Sequence, residues 1–178
     1  VSEPIALHEP DADWPLAFER ERALIAPLFP VAPLKIEHMG STAVPELKAK
    51  PIIDIIVLVE RLEEARPAIP ALEAAGYSSW AANPDKSKFY LAKGLPPAPR
   101  RTHHLHIHDD AEEVQRHLMF RDHLRANPDA RNAYQQLKTD LAERFRDDRE
   151  AYSKHKTGFV DALILSLGGP QRARGWDP

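Results

Sequence analysis

Apolar residues recur at helical spacing early in the chain, at Trp14, Phe18, Ile25 and Leu28, which predicts a helix with one buried face. Trp14-Pro15 puts a proline in the tolerated first turn with Asp13 as its candidate cap, and the prolines from Pro27 to Pro33 end it. The period then shortens to two over Leu34-Lys35-Ile36-Glu37-His38, a half-buried strand that runs into Met39-Gly40-Ser41-Thr42. From Pro51 to Val59 the chain is almost continuously β-branched, as in a strand covered on both faces, and its one charge is Asp54. A helix over Leu62 to Ala75 follows, interrupted by Pro67 and Pro70 and stopped by Gly76. Lys88 to Ala92 reads as a strand, Gly94 to Pro99 as a loop and Thr102 to His108 as the last strand.

Beyond this point only helical periods remain. Asp110 with Glu113 resembles a capping box ahead of Val114, Leu118, Met119 and Leu124. Asn127-Pro128 opens a second helix carrying Ala130, Tyr134, Leu137, Leu141 and Phe145. A third carries Tyr152, Phe159, Val160, Leu163 and Leu167 before Gly168-Gly169-Pro170. Strands first and helices last predict an α/β (α+β) domain: a small mixed sheet flanked by helices, closed on one side by a C-terminal helical hairpin. One domain is expected over 1–168, its α/β part to about residue 109 and its helices from 110, with a flexible tail over 169–178.

Composition narrows the function classes. The 178 residues include no cysteine, which excludes disulfide scaffolds and cysteine-ligated metal centres. Lys plus Arg number 24 against 27 Asp plus Glu, so the net charge of −3 gives no electrostatic reason to expect nucleic acid. No apolar run approaches the roughly 18 residues of a membrane span. Val1-Ser2-Glu3-Pro4 lacks the segments of a signal peptide, so a cytoplasmic location is expected. Apolar helix faces leave room for a homodimer. The outliers are 17 prolines and 9 histidines.

The chemistry gathers between His38 and His108. Gly40 lets a backbone approach a ligand, and Ser41 and Thr42 add donors suited to phosphate oxygens. Asp54 shares a strand face with Ile52, Ile56 and Leu58, where a carboxylate needs a cation, a metal or several donors, although an ion pair with Lys50 or an arginine would also satisfy it. Strand geometry puts His104, His106 and His108 on one face. Such a stripe can bind a transition metal, or line a cleft with His108 near solvent. Lys50, Arg100, Arg101, Arg121, Arg125, Lys138 and Lys156 are candidate phosphate partners. The aromatics Trp14, Phe18, Phe120, Tyr134 and Phe159 read as core.

The run Glu37-His38-Met39-Gly40-Ser41-Thr42-Ala43-Val44-Pro45 with Ala49-Lys50-Pro51-Ile52-Ile53-Asp54-Ile55 resembles the signature of the GrpB family, assigned to the nucleotidyltransferase superfamily. The likeness continues through His104-Leu105-His106, Phe120 to Arg125, Asn127-Pro128, Tyr134, Leu137-Lys138, Tyr152, Lys156 and Phe159. It implies a nucleotidyltransferase fold. The implied nucleotide-binding residues are Gly40, Ser41, Thr42, Lys50, Arg121 and Lys156. Asp54 and His106 are the implied catalytic residues, and Asp54, His106, His38 and His104 would hold Mg²⁺ or another divalent metal. The superfamily's second metal-binding acid falls on Ile56, which cannot bind metal. The resulting expectation is transfer of a nucleoside monophosphate to a small acceptor. Its rivals are a non-catalytic module for a nucleotide or coenzyme A-type metabolite, and a histidine-based metal enzyme. The repeat His-apolar-His-apolar-His also resembles the histidine-triad hydrolases, but Asp109-Asp110 stand where that family has apolar residues.

Overall fold

The computed structural model describes residues 5–80, 83–96, 98 and 100–172. Helix α1 (Asp13–Ile25) leads through a 3₁₀ turn to β1 (Lys35–Met39), and a second 3₁₀ turn at Ser41–Ala43 precedes β2 (Ile53–Leu58). The helix expected over 62–75 is split by its prolines into α2 (Leu62–Ala65), a 3₁₀ turn at Arg66–Ala68 and α3 (Ile69–Ala74). Then come β3 (Tyr77–Ser79), β4 (Lys88–Lys93) and β5 (His103–His108), followed by α4 (Ala111–Ala126), α5 (Pro128–Arg144) and α6 (Arg149–Ser166).

The strands form one mixed sheet in the order β1-β2-β5-β4-β3. Only β2 and β5 run parallel, and the other neighbours are antiparallel. One face is the main core, where Ile53, Ile55 and Val57 of β2, Leu105 and Ile107 of β5 and Leu91 of β4 pack beneath Trp14, Phe18 and Ile25 of α1 and Leu72 of α3. At roughly 1.5–3 kcal/mol for each fully buried aliphatic side chain, this layer dominates the folding energy. Glu21 and Tyr77 are buried with it, and the Tyr77 hydroxyl donates to Glu21 at 2.9 Å while Lys93 Nζ lies 2.8 Å from the same carboxylate.

The opposite face is divided. Met39, Ile56 and Leu58 bury against Val114 and Leu118 of α4, whereas Asp54, His104 and His106 stand further along the same face. The continuous apolar run of β2 thus has two covers, one on each face, interrupted where the strand carries its acid.

Local details differ from expectation. Asp13 is the first helical residue of α1 rather than its cap, and its own N–H donates to Asp11. Asp110 caps α4 by accepting from the amides of Glu112 and Glu113. Asn127 makes no such cap for α5, because its side-chain amide donates back to the His123 carbonyl at the end of α4. The three C-terminal helices all pack on one another, so α4 adds to the expected hairpin. Residues 169–172, expected in the tail, are held: Arg116 donates to the Pro170 carbonyl and to Asp161, and Arg172 pairs with Asp161. Residues 173–178 of that tail lie outside the described residues, as do 97 and 99 of the proline-rich loop. Phe120, Tyr134 and Phe159 are core, with ring centroids 5.0 and 5.5 Å apart.

Candidate functional site

The register of the sheet builds the site. In the parallel pair β2–β5, Asp54 lies beside His104 and Ile56 beside His106, and in β4–β5 Tyr90 lies beside His106. Met39 opposes Asp54 in β1, so the chain leaves the sheet at Gly40 immediately over the acid. There φ is +72°, and a Cβ would sit 2.6 Å from Asp54 Oδ2. Only glycine allows both that backbone angle and that approach.

A cleft of about 370 Å³ opens at this point. Ser41, Thr42, Lys50, Asp54, Tyr90, Arg101, His104, His106, Lys138, Tyr152 and Lys156 are among its walls, contributed by the turn, the sheet and the two last helices. Its size falls in the range of small-molecule sites, roughly 300–1,000 Å³. A larger groove of about 690 Å³ beside α4 has mostly apolar walls and lies away from the acid.

Asp54 accepts from His104 Nδ1 at 2.9 Å. Burial pushes its carboxyl up, but the bond to His104 and the charges of His104, Lys50 and Lys156 outweigh this and hold it below the ordinary range. His106 is held well below its ordinary value, by burial first and then by Lys88 and the neighbouring histidines, so its imidazole is neutral at pH 7. The Tyr90 ring lies 5.5 Å from that of His104 and 5.0 Å from that of His106.

Cations meet this group from the helices. Lys138 is 1% exposed and donates to Ser41 Oγ at 3.1 Å and to the Lys48 carbonyl. Burial and the charge of Lys156 lower its pKa to about 7. Lys156 and Lys50 lie 4.5 and 5.4 Å from the centre of the Tyr152 ring. Burial and Lys50 lower Lys156 to about 8, with Asp54 opposing. Among the described residues, four cationic side chains (Lys50, Arg101, Lys138 and Lys156) thus line a cleft whose one carboxylate is Asp54.

Three expected residues do different work. His38 pairs with Ile55 and so faces the other side of the sheet, stacked on Phe18 at 4.9 Å. The Thr42 hydroxyl donates to the Ile52 carbonyl and accepts from His38 Nε2 at 3.0 Å, which fixes the neutral Nε2–H tautomer. Desolvation takes His38 down to about 4, consistent with that neutral ring, which holds the turn and is not among the grouped ligand atoms. Arg121 is buried against Glu37 at 2.8 Å and the His38 carbonyl at 2.9 Å, tying α4 to β1 rather than lining the cleft. His108 is 3% exposed instead of near solvent, with a pKa lowered by burial to about 4. Arg101 and Lys138, candidate phosphate partners by sequence, line the cleft, whereas Arg100 and Arg125 do not. Tyr152, read as part of an apolar helix face, also lines it, and the signal that could have found it is its place in the family resemblance.

As a cation site the residues divide plainly. One carboxylate and two imidazoles converge, with one donor atom from each within 4.8 Å of the others. This fits a single divalent ion. It does not fit a pair of magnesium ions, which takes further carboxylates, because Ile56 occupies the second position and is 0% exposed beneath α4.

The mixed sheet flanked by helices has a nucleotidyltransferase-like fold, by its likeness to Cid1. The two structures of Cid1 show the likeness: the complex with its short product ApU superposes with a TM-score of 0.61 at 12% identity, covering 90% of this chain and 51% of that one. The chain belongs to the GrpB family, whose model, "GrpB protein", matches residues 4–165. The crystal structure of conserved protein GrpB from Enterococcus faecalis superposes with a TM-score of 0.81 at 36% identity, covering 90% of this chain and 96% of that one. A UPF0157 protein of Pseudomonas aeruginosa is 41% identical over 86% of this chain. The chain spans 64% of that relative's length, and 49% of a dephospho-CoA kinase from Mycolicibacterium paratuberculosis to which it is 32% identical. Among the described residues, no helix is long and apolar enough to cross a membrane.

Proposed function

We propose that the protein binds a nucleoside triphosphate with one divalent cation in this cleft and passes a nucleoside monophosphate to a small acceptor. The observation that carries the reading is the excess of positive charge around Asp54: Lys50, Arg101, Lys138 and Lys156 converge on a cleft with a single carboxylate among the described residues. Like charges gathered at low dielectric repel, and an anion of several charges relieves them. The phosphate chain lies along the Ser41 turn, with Ser41 Oγ and the three lysines against its oxygens. A cation bound by Asp54, His104 and His106 supplies further neutralisation of phosphate charge. In the transfer, an acceptor hydroxyl oxygen forms a bond to the α-phosphorus as the bond to pyrophosphate breaks, and the acceptor proton leaves to solvent. The lysines hold the charge that grows on the departing pyrophosphate.

A specific observation favours a second reading, binding without turnover. The buried Ile56 removes the second acid on which two-metal transfer depends. The same cleft would then hold a nucleotide or coenzyme A-type metabolite through its phosphates, and the likeness to part of a dephospho-CoA kinase agrees with that ligand class.

A thermal-shift panel of nucleoside triphosphates and coenzyme A, with Mg²⁺, Mn²⁺ or EDTA, tests both. The first reading expects stabilisation by a triphosphate, roughly 5–10 °C at a hundredfold excess over Kd. It also expects the metal dependence of that shift to disappear in Asp54→Asn. Equal shifts in EDTA and in Mg²⁺ support binding without turnover. Absence of any shift with every ligand overturns both.

A further inference from the structure

The geometry points to a metal preference at Asp54, His104 and His106: one borderline first-row transition ion of the zinc type, held by two imidazoles and a carboxylate, in place of magnesium. The inference deepens the reading above by naming the cation class at that site, and it rests on that reading only for what the ion is next to.

Backbone register assembles the set. Residues 54 and 104 are direct neighbours across the β2–β5 pair, and 104 and 106 share a face of β5. Their side chains need no loop to bring them together, and each supplies a donor atom within 4.8 Å of the other two. Asp54 Oδ1 and His104 Nδ1 are 2.9 Å apart. Ligands of one tetrahedral zinc-class ion, on bonds of about 2.1 Å, are separated by roughly 3.4 Å, so this hydrogen-bonded pair would open by about half an ångström to share an ion.

The His104 ring bonds Asp54 through Nδ1 and leaves its second nitrogen unused among the described residues. His104 Nε2 is buried without a hydrogen-bond partner, a polar atom that folding leaves unserved on a ring facing the cleft. His106 stands two residues along the same strand face and lines the same cleft, its ligand atom grouped with those of Asp54 and His104. Two nitrogens to one oxygen is a poor set for magnesium, which is bound by oxygen and keeps several waters, and a good set for zinc-class ions. Ile56 shows the same preference from the other side, since a carboxylate there would have supplied oxygen and the chain instead packs a buried aliphatic under α4. With three protein ligands the ion keeps an open position, and the lysines beside it favour an anionic oxygen in that place.

The test uses the full chain, stripped with a chelator and dialysed, titrated calorimetrically with Zn²⁺ and separately with Mg²⁺, and with Co²⁺ followed by its visible absorption. One equivalent of Zn²⁺ is expected, with an affinity at least about a hundredfold above that for Mg²⁺. Co²⁺ is expected to give the intense bands of a four- or five-coordinate ion. His104→Ala and His106→Ala should each weaken Zn²⁺ at least about tenfold, whereas His155→Gln, on the exposed face of α6, should not. His106→Asn serves if the alanine variant loses its circular dichroism. Equal affinity for Mg²⁺ and Zn²⁺ overturns the inference, as does Zn²⁺ binding untouched by both histidine variants. Triphosphate titrations of the same preparations separate the two claims: zinc bound without any triphosphate binding contradicts the proposed function alone, and triphosphate bound with magnesium preferred contradicts this inference alone.

Discussion

Gly40 carries the backbone past Asp54 with a hydrogen where other residues have a Cβ. Gly40→Ala must move a carboxylate that lies 2.6 Å from the new atom and must also hold φ at +72°. Denaturant unfolding is expected to show a loss of about 1–3 kcal/mol, with a larger proportional loss of triphosphate affinity because the turn itself is displaced. At the same scale, two buried histidines make the protein acid-sensitive. His38 and His108 both titrate near 4 in the folded chain against an ordinary value of 6.5, because burial disfavours the charged ring. The unfolded chain therefore binds more protons between pH 6.5 and pH 4, and stability present above pH 6.5 is lost as pH falls through that window. Each ring contributes on the order of 3 kcal/mol. His108 Nε2 has no hydrogen-bond partner, so His108→Leu should flatten the decline of Tm between pH 6.5 and pH 4.5. An unchanged slope would show that another group carries the acid response.

At the scale of elements, the cleft depends on how the C-terminal helices are anchored to the sheet. Arg121 joins α4 to the Glu37 side chain and the His38 carbonyl, so Arg121→Ala leaves a buried carbonyl and an acid without their donor. A loss of about 2–4 kcal/mol in chemical denaturation is expected, with triphosphate affinity of the folded variant within about threefold of wild type. A selective loss of affinity would return Arg121 to the phosphate site. This residue also marks how far the sequence could be read. The run Pro51 to Val59 declared a strand covered on both faces because it is almost continuously β-branched, and a period of two put His104, His106 and His108 on one face of theirs. That this face adjoins Asp54 follows only from the β2–β5 register. Strand β3 escaped because three residues, Tyr77–Ser79, leave no period to detect. Lys138, Lys156 and Arg121 all read as basic helix residues. Only the packing of α5 and α6 over the turn, and of α4 against β1, decides that the first two enter the cleft and the third becomes a brace.

Over the whole molecule, the sheet separates stability from chemistry. The α1 face holds the main core, and the opposite face gives one end to Ile56, Leu58 and α4 and the other to Asp54, His104 and His106. The cations of the last two helices complete that polar end, so binding should respond to their protonation. Lys138 and Lys156 lose their protons near 7 and 8 in the ligand-free chain, far below the usual value of 10.5, because burial disfavours the ammonium. In stability this makes the unfolded chain the better proton binder above those values, so the penalty of burying the charges fades as pH rises from about 7 toward 10.5. In binding the sign is reversed: both lysines are charged at pH 6.5 and neutral at pH 9, so a phosphate ligand loses its partners as pH rises. The most direct test is calorimetric titration of a non-hydrolysable nucleoside triphosphate at pH 6.5 and pH 9, on wild type and on Lys138→Met/Lys156→Met. Wild type is expected to bind at least roughly tenfold more tightly at pH 6.5, and the double variant to bind weakly with that difference removed. Triphosphate binding that is equally strong in the double variant, at either pH, would contradict the assignment of this cleft to phosphate.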